Sequence, residues 1–293
     1  MRRLFYPAAA ALLCGCATAR PDVRLTSEPS IERAMDLLNS TPDGKDMMHF
    51  LNEHPVDFEY SNTPDRCDRF LLHSGRIYIP DDYRDHDLIA ALDIARAAYI
   101  YRLWKESGLD EVISEEEELG ALFQARLAVE LKLTNADFAR AGGKTEIKND
   151  LCAYLLEGSS YAMELARKEA LTEDTACQRP LETLENQKVW LEKTRQAIDD
   201  QTFYQLLYDR DLARVRKGSM TMAEAMKRDA EMRALPLYEV YRYQRSFYDD
   251  QNEVFSRFEK LFKSAVRSDA EWRRARKKDL DASSEEFSAC ELR

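Results

Sequence analysis

The four histidines are the first residues whose chemistry and spacing suggest a site. They are His49, His54, His73 and His86. Neutral imidazole is a common zinc ligand, so these side chains could form a metal site if the fold brought them together. His49 and Glu53 lie four residues apart on one helix face, but such pairs are more often solvated, and the spacing matches no zinc motif. The histidines alone therefore do not predict a metal centre.

Acidic residues offer a second candidate site. Asp93 lies in an alanine-rich segment, and residues 115–118 are all glutamate. Carboxylates can ligate metals or transfer protons when burial or a neighbouring charge perturbs their pKa. An acidic run in the first turn of a helix also interacts favourably with the positive end of the helix dipole, and Asp93 could equally be an exposed helix residue. Both interpretations stay open at this stage.

Several enzyme classes lose support because their motifs are missing. The sequence has no Gly-x-Ser-x-Gly elbow, no Ser-His-Asp arrangement in motif form, no phosphate-binding glycine loop and no Cys-x-x-Cys pair. The formal net charge of −11 argues against nucleic-acid binding, which needs an excess of lysine and arginine. A basic cluster at residues 273–278 could contact lipid headgroups or a polyanionic wall polymer, or could be a solvated helix end that complements the helix dipole.

Helical patterns dominate the elements that must position these residues. The sequence predicts a mainly α fold of the α+β class, with two short helices before a small three-stranded sheet near residues 56–79. Residues 56–60 alternate apolar and polar side chains, and Ser74-Gly75 separates two further short apolar runs as the turn of a hairpin. After Pro80 every segment is expected to be helical. Capping signals at Thr41 and at Thr221 predict two helix starts, and Ser114 with Glu117 predicts a third as a capping box.

The longest predicted helix runs from Leu237 to Leu280. Its apolar residues recur every seven positions, which predicts a wide buried stripe. The stripe could pack on the other helices of the same chain or form an intermolecular coiled coil. Bulky aromatic residues favour the first alternative.

The order of elements from residue 30 to residue 140 resembles that of bacterial zincin-type putative metallopeptidases, many of which are lipoproteins. In that family the alanine-rich helix carries His-Glu-x-x-His, in which two histidines bind zinc and the glutamate activates a water molecule. In this sequence Asp93 stands at the position of the first histidine, Ile94 at the glutamate and Ala97 at the second histidine. Glu117 is the candidate relic of the third ligand. The resemblance thus implies a related fold from which the zinc chemistry has been lost, with no catalytic residue and no metal.

The N-terminus predicts export and lipidation. Arg2 and Arg3 precede an apolar run, which is typical of a signal peptide and too short for a membrane span. Leu13-Cys14-Gly15-Cys16 resembles the bacterial lipobox, which implies that Cys16 carries a covalent lipid and that Ala17 permits transport to the periplasmic face of the outer membrane. We therefore expect a signal peptide at residues 1–15, a lipidated tether at 16–29, a degenerate zincin-like domain at 30–143 and a helical domain at 144–293.

Four further cysteines could form disulfides in an oxidising envelope. They are Cys67, Cys152, Cys177 and Cys290. Cys152 and Cys177 flank one predicted helical hairpin, which favours that pair, whereas buried free thiols are the alternative.

Three functional hypotheses follow from these patterns. The first is a lipid-anchored, non-catalytic metallopeptidase-like protein that binds or scaffolds an unknown protein partner in the cell envelope. The second is a divergent envelope hydrolase whose metal has non-standard ligands, such as Asp93 and Glu117. The third is a purely structural helical lipoprotein. None of the three needs a cofactor other than the lipid on Cys16 or, for the second, a metal.

Overall fold

A computed structural model gives the fold. It describes residues 24–62, 70–71, 75–109, 113–142, 145–176, 183–200, 203–234 and 236–290. The predicted signal peptide and Cys16 lie outside the described residues, as do His73, Cys67 and Cys177.

The expected mainly helical fold is confirmed. The helices of the described residues are α1 Pro29–Asn39, α2 Pro42–Glu53, α3 Asp87–Ser107, α4 Ser114–Glu130, α5 Asn135–Arg140, α6 Thr145–Leu156, α7 Ser159–Ala176, α8 Leu184–Asp200, α9 Phe203–Arg216, α10 Met222–Arg233, α11 Pro236–Ala275 and α12 Lys277–Glu286. Helices α3 and α4 form the centre, because α1, α2 and α11 pack on α3 while α6, α7 and α12 pack on α4.

The small sheet contains β1 Asp57–Ser61, β2 Phe70–Leu71 and β3 Arg76–Pro80 in the order β1-β3-β2. Strand β1 pairs in parallel with β3, with Phe58 opposite Ile77, and β2 pairs antiparallel with β3. The turn expected at Ser74-Gly75 falls partly outside the described residues. Phe58, Ile77 and Ile79 are buried on one face of the sheet, which packs against α3.

Residues 24–28 differ from the predicted tether. Leu25 is buried in the core, and its carbonyl accepts a hydrogen bond of 2.8 Å from the backbone N–H of Phe58. The hydroxyl of Thr26 donates to the carbonyl of Phe58 at 2.7 Å. This segment therefore joins the folded body at the edge of β1, because its apolar side chain and backbone polar groups find partners there.

Two helix breaks depart from the sequence prediction. Within the region expected to be helical after Pro80, α6 and α7 are separated at Gly158, whose φ of +94° suits glycine and few other residues. The helix expected to end at Leu280 is interrupted at Arg276, which separates α11 from α12. One hydrophobic cluster nevertheless extends from Ile31 to Phe287, so residues of both predicted domains share a core.

Candidate functional site

A buried arginine stands at the centre of the region that resembles a zinc site. Arg96, on α3, has a side chain only 1% exposed. Its Nη2 lies 2.8 Å from Oε2 of Glu117 on α4, and its Nη1 donates a hydrogen bond of 3.0 Å to Oδ2 of Asp150 on α6. Glu146, one turn before Asp150, lies at 3.9 Å. We call Asp93, Arg96, Glu117, Glu146 and Asp150 the Arg96 cluster.

The electrostatics of the Arg96 cluster keep the guanidinium charged. Burial alone would lower the pKa of Arg96, but the nearby Glu117 and Asp150, with a smaller contribution from Asp93, raise it above its ordinary value. Because the carboxylates that pair with this buried guanidinium come from other helices, the ion pairs connect those helices to α3. The cluster therefore connects α3, α4 and α6 by ionic contacts inside the core.

The four predicted relic positions are all buried, but they differ in chemistry and surroundings. Asp93 and Glu117 are both buried, and both contribute to the raised pKa of Arg96. Ile94 and Ala97 are completely buried apolar residues of α3, and neither can ligate a metal or accept a proton. The described residues contain no group of three or more histidine, cysteine, aspartate or glutamate side chains placed to hold a metal ion.

Sequence reasoning missed Arg96, Glu146 and Asp150. The available signal was a single arginine within Ile94-Ala95-Arg96-Ala97-Ala98, where every neighbour is apolar. A charge at the buried face of such a helix requires a partner of opposite charge.

A glycine on α4 permits the close approach of α3 at the Arg96 cluster. A Cβ atom placed on Gly120 would lie 3.0 Å from Cγ of Arg96 and 3.3 Å from Cδ1 of Ile100. Four residues later, Nε2 of Gln124 donates a hydrogen bond of 3.1 Å to the carbonyl of Leu92 on α3. These contacts fix the spacing of the two central helices.

The acidic run at the start of α4 is mostly buried, which its surface-like composition did not indicate. Glu115 accepts a hydrogen bond from the backbone N–H of Leu184 at 3.1 Å and so connects α4 to the start of α8. Burial raises the pKa of Glu116 well above its ordinary value. Burial also raises the pKa of Glu118 to about 7, although Arg167 of α7, 3.6 Å away, opposes the shift.

The described histidines do not meet at one point. Nε2 of His49 lies 3.6 Å from Oε1 of Glu53, and both side chains are exposed. His54 follows the end of α2, and His86 precedes the start of α3. The hypothesis of a shared histidine site thus gains no support from His49, His54 and His86.

A surface groove runs between α2, α3, α4 and α11. It consists of two adjoining clefts of about 270 and 370 Å³ that share Asp46, Arg102 and Glu106. The first cleft is also lined by Tyr99 and Arg126, and the second by His49, Phe50, Glu53, His54 and Lys105. This polar groove is separate from the buried Arg96 cluster.

The disulfide prediction is corrected by the structure. Cys152 of α6 is bonded to Cys290, with Cα atoms 6.2 Å apart, and is therefore not paired with Cys177. The reason is that α12 packs on α6, which brings the end of the chain to Cys152. Proximity along the sequence favoured Cys177, but tertiary packing determines the partner.

Arg273 and Arg276, both in the basic cluster at residues 273–278, contact residues of other helices. Arg273 donates a hydrogen bond of 2.9 Å to the carbonyl of Tyr154 and stacks over its ring. Arg276 lies 3.2 Å from Glu130, at the end of α4. These contacts attach the end of α11 to the core and favour a structural role for that part of the cluster.

No known protein family, curated protein or solved structure matches the chain. None of the helices that the structure describes is both long and apolar enough to cross a membrane.

Proposed function

We propose that this chain is a lipid-anchored cell-envelope protein that acts by binding or scaffolding and not by metallopeptidase chemistry. The observation that carries the proposal is the Arg96 cluster. Of the two carboxylates that the resemblance assigns to a relic metal site, Glu117 lies 2.8 Å from the Arg96 guanidinium, and Asp93 lies close enough to contribute to the raised pKa of Arg96. A zinc ion there would have to displace a buried cation.

Two further observations support the envelope location. The sequence Leu13-Cys14-Gly15-Cys16 follows a basic and then apolar N-terminus. The Cys152–Cys290 disulfide is a kind of bond that persists in oxidising compartments and is rare in the cytosol. Both support a location outside the cytosol.

Exposed aromatic side chains support a binding role. Trp190 on α8 is 41% exposed, and its ring packs edge-to-face against Phe247 of α11 at 5.7 Å. Val189, beside Trp190, is also exposed. Large aromatic residues are enriched where proteins bind their partners.

The zinc content of the full-length protein tests the loss of metal chemistry. After dialysis first against excess zinc and then against zinc-free buffer, elemental analysis should find far less than one zinc ion per chain. The Asp93→Asn and Glu117→Gln variants should give the same background value. Near-stoichiometric zinc in the wild type that is lost in these variants, while circular dichroism stays unchanged, would refute the proposal.

Labelling tests the anchor. Cells expressing the chain should incorporate radioactive palmitate into it, and the label should be absent from a Cys16→Ala variant. Cys290→Ala serves as the matched control, because it also removes one cysteine and should remain labelled. A wild-type protein that carries no lipid would overturn this part of the proposal.

A further inference from the structure

Four of the charged residues that line the groove form two ion pairs within it. Arg126 donates a hydrogen bond to Asp43, and Nε of Arg102 donates one of 2.7 Å to Glu106. His49 lies beside Glu53. A charged ligand would have to compete with these pairs, because each of them already satisfies its partner. The lining is therefore suited to an uncharged ligand rich in hydrogen-bonding groups.

Both hydrogen-bond donors and acceptors line the first cleft. Ser264 and Ser268 expose hydroxyls from α11, and Asp46 offers a carboxylate from α2. Hydroxyls can both donate and accept, so a ligand with several of them can satisfy all of these groups.

An aromatic surface accompanies the polar groups. Tyr99 is half-buried in the wall of the first cleft and stacks on Phe123, with ring centroids 4.7 Å apart. Burial raises the pKa of Tyr99, so its phenol stays neutral and can donate a hydrogen bond. Binding sites for small molecules commonly combine such an apolar face with a few placed polar groups.

We propose that the groove between α2, α3, α4 and α11 binds a neutral saccharide of two or three sugar units. The sugar hydroxyls would bridge Asp46, Arg102 and Ser268, and the C–H face of one ring would lie against Tyr99. The two adjoining clefts, of about 270 and 370 Å³, together reach the usual size of a small-ligand site. This inference rests on the proposed binding role but uses neither the lipid anchor nor the Arg96 cluster.

Titration calorimetry on the full-length protein with triacetylchitotriose and with maltotriose tests the proposal. We expect saturable binding of at least one of them with a Kd of about 0.1–1 mM. A Ser268→Trp variant should abolish it by filling the first cleft. Ser256→Trp, on an exposed position of α11 outside the groove lining, is the matched control and should bind as the wild type does.

A second variant separates loss of the ligand site from loss of the fold. Asp46 is exposed and the end of its side chain lines both clefts, so Asp46→Ala should leave the thermal unfolding temperature unchanged and weaken binding about tenfold. Three results would overturn the proposal. They are no saturable binding of either trisaccharide up to ~10 mM, equal binding by the Ser268→Trp variant, and tighter binding of the charged probe trigalacturonate. A negative result here leaves the zinc and palmitate tests unaffected, so the two proposals can fail separately.

Discussion

Replacing Arg96 with methionine should destabilise the protein strongly. The substitution keeps a long apolar side chain next to Gly120 but removes the charge that contacts Glu117 at 2.8 Å and Asp150 at 3.0 Å. Asp150 is only 1% exposed, so water cannot replace the guanidinium without a local opening. Removing one partner of a buried ion pair typically costs about 3–5 kcal/mol, because a buried charge is left without compensation. We expect a loss in this range at pH 7.

The pH dependence of that loss distinguishes charge from packing. In the variant, protonation of the stranded carboxylates removes the unfavourable buried charge. The difference in unfolding free energy between wild type and variant should therefore shrink as the pH falls from 7 to about 4.5. Urea unfolding followed by circular dichroism measures both values. A loss that stayed constant with pH would show that lost packing, and not unpaired charge, causes the effect.

An exposed ion pair provides the control for the Arg96 variant. Arg195 on α8 lies 2.7 Å from Glu192, and both side chains are about half exposed. Arg195→Met should change the unfolding free energy by less than about 1 kcal/mol, since water solvates the remaining carboxylate. If Arg96→Met cost no more than this control, the Arg96 cluster would not have the structural role inferred for it.

Three further changes test other parts of the fold by the same unfolding assay. Gly120→Ala should lower stability by about 1–2 kcal/mol despite its better helix propensity, because the new methyl group crowds Arg96; a stabilised variant would contradict the close packing of α3 on α4. Glu118→Gln should flatten the pH profile. The raised pKa of Glu118 contributes stability that is fully present below the ordinary glutamate value of 4.5 and is lost as the pH rises through about 7, so the wild type should lose more stability than the variant between these two pH values. Cys290→Ser should cost about 2–4 kcal/mol, and dithiothreitol should then have no added effect; a further loss on reduction would indicate another disulfide.

Local signals in the sequence were sufficient to predict the fold class and the first residues of several helices. Thr41 and Thr221 each accept a hydrogen bond from a backbone N–H three residues later, as their positions before helical patterns predicted. The capping box expected for Ser114 with Glu117 does not form, because the N-cap residue is Ile113, whose side chain makes no capping hydrogen bond; Glu116 alone accepts from the backbone N–H of Ile113, at 3.3 Å. Such signals succeed because caps depend on residues within one turn of each other.

The features that the sequence did not predict depend on distant partners. Arg96 meets Glu117 and Asp150, which lie 21 and 54 positions away, and no local pattern specifies such a meeting. The parallel pairing of β1 with β3 is similarly hidden, because alternation defines the buried face of a strand but not its neighbour. The partner of Cys152 lies 138 residues away, so spacing favoured the wrong cysteine.

The bond between Cys152 and Cys290 makes the second half of the chain a covalent ring. The ring contains the end of α6 and helices α7 to α12, and its backbone continues into the first half of the chain at Cys152. A single protease cut anywhere between the two cysteines would therefore release no fragment until the bond was reduced. The exposed turn at Gly218 is also a suitable place for the new termini of a circularly permuted variant, because the disulfide would still hold the two flanking segments together.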